Sequence, residues 1–322
     1  MLPPKDRLTI CFAHVAYRMQ DRFAARATEI RSFEVRTREA LDARIGEADV
    51  LVVSMLWRNE LAAMAPKLRF IQSISAGTDQ YSREVLASHG IRLASARGAN
   101  ERAVAEHAMA LILALARKLP EARDNQAKRV WRGMIGELAR REDELGGKTL
   151  LIIGLGRIGG RLARLAKAFD LRVLGTRRDP SKGKEGADSV HGVEELEALL
   201  PRVDIVALTC PLTPETEGLI GKEALALMKP SAALVNVARG RCVDETALIA
   251  ALGEGRIAGA ALDCVIDEPL PAASPLWGME NVLITPHTAG ETRRYEENVI
   301  DLLLENLDRL WRGEATLRNQ IV

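Results

Sequence analysis

"LLIIGLGRIGGRLARLAKAF", residues 150 to 169, decides the fold. An apolar run leads into Gly154, Gly156 and Gly159 in the order G-x-G-x-x-G, and an amphipathic stretch comes directly after. In that setting the glycines permit a tight turn, close approach of backbone to a pyrophosphate, and tight packing of helix on strand. The first N–H groups of the helix lack intrahelical partners and so offer themselves to an anion. A second apolar segment, "LRVLGT" (171–176), completes a strand–turn–helix–strand unit. That order lifts the motif above a chance glycine turn.

Working outward, short β-branched runs alternate with helical patterns. "LTICFAH", "SFEVRT", "DVLVVS" and "RFIQSIS" form a first series; "KTLLIIG", "LRVLGT", "VDIVALT", "AALVNVA", "IAGAALD" and "VLITPH" form a second. Such alternation predicts parallel sheets with crossover helices. The fold class is therefore α/β, as two doubly wound lobes. The run 103–116, "AVAEHAMALILALA", carries Glu106 and His107 and is too short for a bilayer, so it reads as a buried helix. With the helical pattern at 291–313 it brackets the second series. We expect a discontinuous first domain, 1–100 plus 290–322, and a dinucleotide-binding domain, 101–289.

Composition narrows the function. Lys and Arg number 45 against 44 Asp and Glu, a formal net charge of +1, so no long-range field would gather nucleic acid or an anionic membrane. Four cysteines (Cys11, Cys210, Cys242, Cys264) are widely spaced, with no CxxC pair and no His cluster at ligand spacing. That argues against a metal site or disulfide framework and for a reducing compartment. The N-terminus has prolines and charges where a signal peptide needs an apolar core, so a cytoplasmic protein is expected.

The residue after the second strand of a dinucleotide unit is usually an acid that binds the ribose hydroxyls. Here the stretch is "VLGTRRDP", with Arg177 twenty-one residues after Gly156. Arg177, Arg178 and the Thr176 hydroxyl would form a basic cup for a 2′-phosphate, which favours NADP(H) while leaving NAD(H) possible. The alternative is an ordinary solvated pair of charges.

With these blocks in place, the chain resembles the D-isomer-specific 2-hydroxyacid dehydrogenases, in character the NADPH-linked glyoxylate/hydroxypyruvate reductases. The likeness runs through "SISAGTD", "RAVAEHAMALILALAR", "LGGKTLLIIGLGRIG", "CPLTPETEGLI", "LVNVARGRCVDETALIAAL", "ALDCVIDEPLP" and "VLITPHTAG". It implies a Rossmann-type nucleotide lobe, a flavodoxin-like substrate lobe and an active site in the cleft. The family's catalytic arginine, acid and histidine fall on Arg239, Glu268 and His287. Histidine suits proton donation to a carbonyl oxygen because its ordinary pKa is near neutral and a carboxylate partner favours its charged form. Arginine suits the carboxylate clamp because its planar fork stays charged and binds two oxygens.

The resemblance further implies that Asp263 meets the nicotinamide carboxamide. Arg157 and Ile158 would line the pyrophosphate and Cys210 and Pro211 the nicotinamide side, with Gly290 also at the cofactor, although Cys210 alone also reads as strand-end packing. Ala76 and Gly77 would bind substrate carboxylate through backbone N–H groups, the alternative being a plain glycine turn. Trp57 and Arg58 could face the cleft or be simple surface. The expected activity is reduction of a small 2-oxo acid by a homodimer packed around the 103–116 helix. The alternatives are a formate- or phosphite-type NAD-dependent dehydrogenase and a non-catalytic, cofactor-sensing corepressor-like protein. The sequence departs from the family pattern at Cys264 and Val265, where Val-Phe is usual, and at "GTRRD".

Overall fold

The computed structural model describes residues 2–322 and divides into two compact units, Met1–Asn100 with Glu291–Val322, and Glu101–Gly290. Each unit is a parallel α/β sheet covered on both faces.

In the first unit, β1 (Thr9–Ala13), β2 (Arg31–Val35), β3 (Val50–Val53), β4 (Phe70–Ser73) and β5 (Arg92–Ala94) pair in the order β2-β1-β3-β4-β5. This is the flavodoxin-like order. Alternate residues along β1 go to opposite faces, Ile10 and Phe12 to one buried cluster and Cys11 and Ala13 to the other. The strands read as continuous apolar runs because both faces are covered. The helix Tyr295–Trp311 lays Val299, Ile300, Leu303 and Leu307 on the Ile10 face, which ties the C-terminal segment to this unit. Each such buried Leu or Ile contributes about 1.5–3 kcal/mol. The chain end returns to β5, where Ile321 N–H donates to the Leu93 carbonyl at 2.8 Å.

The second unit holds β6 (Thr149–Ile153), β7 (Arg172–Thr176), β8 (Ser189–His191), β9 (Ile205–Leu208), β10 (Ala233–Asn236), β11 (Gly259–Leu262) and β12 (Val282–Ile284), in the order β12-β11-β10-β9-β6-β7-β8. Counted from β6, that is the Rossmann order with one strand added. The order reverses between β6 and β9, so a crevice opens beyond their C-terminal ends, where such sheets bind ligands. The helices Glu101–Ala116 and Arg157–Lys167 cover one face through Val104, Ala108, Ile112, Leu162 and Ala166.

Both units share one device at the opposite edge. Asp49 accepts the Thr9 N–H at 2.9 Å, and Asp204 accepts the Thr149 N–H at 2.8 Å, so a carboxylate before each central strand satisfies the first donor of its neighbour. Among the described residues no helix is long and apolar enough to cross a membrane.

Candidate active site

The turn between β6 and the helix Arg157–Lys167 is shaped by what its glycines exclude. At Gly154 φ is +95°, and a Cβ would lie 2.6 Å from the Cys210 Cα, inside backbone that cannot yield. A Cβ at Gly159 would meet the Gly154 carbonyl oxygen at 2.8 Å and Thr209 Oγ1 at 2.9 Å. Gly156 differs, for its nearest neighbour would be 3.9 Å away. Nothing in the chain itself requires a glycine there. The space lies in front of a helix whose first N–H groups lack intrahelical partners, and this suits the close approach of a pyrophosphate.

Three further turns stand at the C-terminal edge of the same sheet. After β10, the Asn236 amide is buried; its Oδ1 accepts the Ala238 N–H at 3.0 Å and its Nδ2 donates to the Arg239 carbonyl at 2.9 Å. Gly240 then lets this turn press on the one after β11, since a Cβ there would sit 1.9 Å from the Val265 carbonyl oxygen. The closeness brings the half-buried Arg239 near Glu268 and His287, where its charge favours the ionised carboxylate and opposes, without outweighing, protonation of the imidazole.

His287 Nδ1 lies 2.7 Å from Glu268 Oε2, while Glu268 Oε1 accepts the Val265 N–H at 3.2 Å. The hydrogen bond to Glu268 raises the His287 pKa above its ordinary value, overcoming partial burial. Burial opposes ionisation of Glu268, yet the same hydrogen bond and the imidazolium charge hold its carboxyl below the usual range. With Nδ1 engaged, Nε2 is the nitrogen left to exchange a proton. The backbone of His287 sits at φ +53°, a left-handed conformation that costs a non-glycine residue about 1 kcal/mol or more and that clusters at functional sites.

Trp57 is only 5% exposed, stacks on Tyr81 with ring centroids 5.8 Å apart and donates Nε1–H to Asn59, so it packs in the core. The Arg58 guanidinium is paired with Asp42. The Thr176 hydroxyl is sealed, with no hydrogen-bond partner, because β7 is buried on both faces; it does not join the arginines. Arg177 folds back to donate to the Lys182 and Gly183 carbonyls at 3.3 and 3.1 Å, while Arg178 stays exposed. The Arg157 side chain pairs with Glu101, which leaves its backbone N–H as what it can offer a phosphate.

Asp263 is 2% exposed, and its carboxylate is taken up by Thr285 Oγ1 at 2.6 Å and by the N–H groups of Thr288 and Ala289 at 3.0 and 3.1 Å. Cys210 is buried against Gly154 and contacts the Cys242 thiol. Ile158, Pro211 and Gly290 border the sheet edge of this unit, and Ala76 and Gly77 form a half-buried turn after β4 in the other.

Sequence reasoning missed Asn236, Thr285 and His107. The first two are polar residues at or just beyond the C-terminal ends of apolar strands, a readable signal. His107 gave no signal beyond interrupting an apolar helix.

A glycine turn built for a dinucleotide, with a histidine–carboxylate pair and an arginine along the same sheet edge, defines a nicotinamide-dependent oxidoreductase. Comparison with known proteins specifies the class. Residues 109–289 match the family model "D-isomer specific 2-hydroxyacid dehydrogenase, NAD binding domain". The chain is 36% identical over 288 residues to the glyoxylate reductase of Korarchaeum cryptofilum, covering 86% of this chain and 84% of that one. It is 39% identical over 282 residues to the D-3-phosphoglycerate dehydrogenase of Methanocaldococcus jannaschii, covering 86% of this chain and 52% of that one, so it spans about half the length of that relative. Among solved structures, the NADPH-dependent glyoxylate/hydroxypyruvate reductase of Sinorhizobium meliloti, in complex with NADP and malonate, superposes with a TM-score of 0.83 at 27% identity, covering 98% of this chain and 97% of that one. The chain belongs to the D-isomer-specific 2-hydroxyacid dehydrogenases and is an NAD(P)-dependent oxidoreductase.

Proposed function

We propose that the protein reduces a small 2-oxo acid of the glyoxylate or hydroxypyruvate type to the D-2-hydroxy acid, with NADPH preferred over NADH. The observation that carries this reading is the His287–Glu268 pair at 2.7 Å with the charge of Arg239 acting on both. In it, the bound nicotinamide supplies the hydride. Arg239 orients the substrate carboxylate and polarises the carbonyl, and protonated His287 delivers a proton from Nε2 to the carbonyl oxygen. Glu268 holds the imidazole by Nδ1 and favours its charged form.

The cofactor preference rests on the segment immediately C-terminal to β7. The first carboxylate there, Asp179, is turned into its own loop, accepting the Ser181 N–H at 3.1 Å and the Ser181 hydroxyl at 2.6 Å. Arg177 and Arg178 are then the groups a 2′-phosphate would meet. Gly154, Gly156 and Gly159, with the N–H groups of Arg157 and Ile158, hold the pyrophosphate.

The protein acts as a homodimer with the helix Glu101–Ala116 at its centre. Leu113, Ala114, Leu115 and Ala116 of that helix are only half-buried in one copy. Sedimentation giving a stable monomer at micromolar concentration would remove that part.

The deciding experiment is a panel of glyoxylate, hydroxypyruvate, pyruvate and phenylpyruvate with NADPH and with NADH. Turnover confined to the first two with NADPH supports the reading. Formate or phosphite oxidation with NAD and no reduction would replace it.

A further inference from the structure

His107 lies on the helix Glu101–Ala116, 178 residues from Thr285 in sequence, yet its Nε2 is 3.0 Å from Thr285 Oγ1 and 3.5 Å from Asp263 Oδ1. The protons can be assigned. Asp263 accepts the backbone N–H groups of Thr288 and Ala289, so it is the acceptor in this cluster. At 2.6 Å the single Thr285 hydroxyl proton goes to Asp263 Oδ1, a charge-assisted bond. The hydroxyl oxygen then has only lone pairs to offer His107, so His107 Nε2 must carry a proton and donate it.

The consequence lies two residues on. The His287 N–H donates back to the Thr285 carbonyl at 2.9 Å, and the His287 backbone is held at φ +53°. A strained residue stays put only where its flanks are over-determined. Here Thr285 is fixed on one side and Thr288 and Ala289 on the other, all by one carboxylate. Ala289 also packs into the same apolar cluster as Val104 and Ala108 of the His107 helix.

We propose that His107 is a positioning residue: through Thr285 and Asp263 it clamps the turn that carries His287, so the proton donor is aimed from the helix Glu101–Ala116. This rests on the reading of His287 as the acid. The charged groups that act on His287 are Glu268, Asp263 and Arg239. If the clamp loosens, the Nδ1 contact to Glu268 is what suffers.

The test uses the full-length enzyme with nitrogen-15 labelled histidine, only five residues in all. In the unmodified protein, imidazole spectra should show a proton on His107 Nε2. His107→Leu should reduce kcat on the order of tenfold to a hundredfold, the scale set by a displacement of about 1 Å at a reacting centre, with NADPH affinity within about twofold. It should also lower the midpoint at which His287 titrates. His107→Gln places an amide N–H near the lost donor and should recover most of both. Should the leucine variant fail to fold, Thr285→Val against Thr285→Ser asks the same question, with serine expected to rescue.

A His107 found with no proton on Nε2 overturns the proposal. So does a leucine variant with unchanged kcat and His287 midpoint, or a glutamine variant no better than leucine. If the unmodified enzyme reduces no 2-oxo acid, the functional reading fails, while the His107 protonation and the His287 midpoint still decide the clamp.

Discussion

Gly154 and Gly156 are two residues apart in one motif, and the structure assigns them opposite kinds of work. Replacing Gly154 by alanine puts a methyl group 2.6 Å from the Cys210 Cα and N and forces alanine to φ +95°. The conformation alone costs about 1–2 kcal/mol and the overpacking typically about 1–3 kcal/mol more, for a sum of roughly 2–5 kcal/mol. For a unit of this size each kcal/mol shifts Tm by about 2–4 °C, so a fall of roughly 4–20 °C is expected.

Gly156 has a negative φ of −105°, and its Cβ would meet nothing nearer than 3.9 Å. Its replacement by alanine should cost no more than about 1 kcal/mol, that of a weaker helix cap. What it should lose is the nucleotide, because the methyl group fills the place kept for the pyrophosphate. The assay is a pair of measurements on each variant: thermal melting without ligand, and NADPH titration by its fluorescence. Gly154→Ala should melt early. Gly156→Ala should melt like the parent and bind NADPH at least about tenfold more weakly. Equal melting shifts in the two variants, or unimpaired NADPH binding by Gly156→Ala, would refute the reasoning.

The site dictates other outcomes. His287→Ala should chiefly depress kcat and spare NADPH binding, whereas Arg239→Ala should weaken affinity for the 2-oxo acid and slow turnover together; steady-state kinetics separate the two. The pKa of His287 is raised, so its acid form, and the stability it lends, are complete below its unfolded value and are lost as pH rises through the folded value. Glu268→Gln removes the main cause of that rise, so the alkaline limb of the kcat profile for reduction should move to lower pH. Arg177 and Arg178 together should give NADPH a kcat/KM advantage of roughly ten- to a thousandfold, shrinking as salt rises, and Arg177→Asp should reverse it. Equal use of both cofactors at low salt by the unmodified enzyme would mark the arginines as mere surface charge.

What the sequence disclosed and what it hid have physical reasons. Strands buried on both faces, such as "LLII" and "DVLVV", announce themselves as unbroken apolar runs. β5 and β8 do not, for each is three residues long and β8 lies in the polar stretch "DSVH". Arg239, Glu268 and His287 are legible because they come after apolar strands in recognisable blocks, and residues just past the C-terminal ends of parallel strands converge on one edge whatever their spacing. Thr176 misleads by the same logic, since a residue that closes a strand can still be inside it. Trp57 misleads because an aromatic beside an arginine resembles surface until its neighbour Tyr81 is in place.

The link from His107 to Thr285 is of another kind. It depends on how a helix from the start of the unit is laid against a turn at its end, and no local pattern carries that information. Burial makes the cluster consequential. Beside the buried Asp263 the hydroxyl of Thr285 has one proton, and giving it to that carboxylate dictates the state of His107. A chain of donors in which each member can be satisfied in only one way transmits the position of a helix to a catalytic turn through the His107–Thr285 contact.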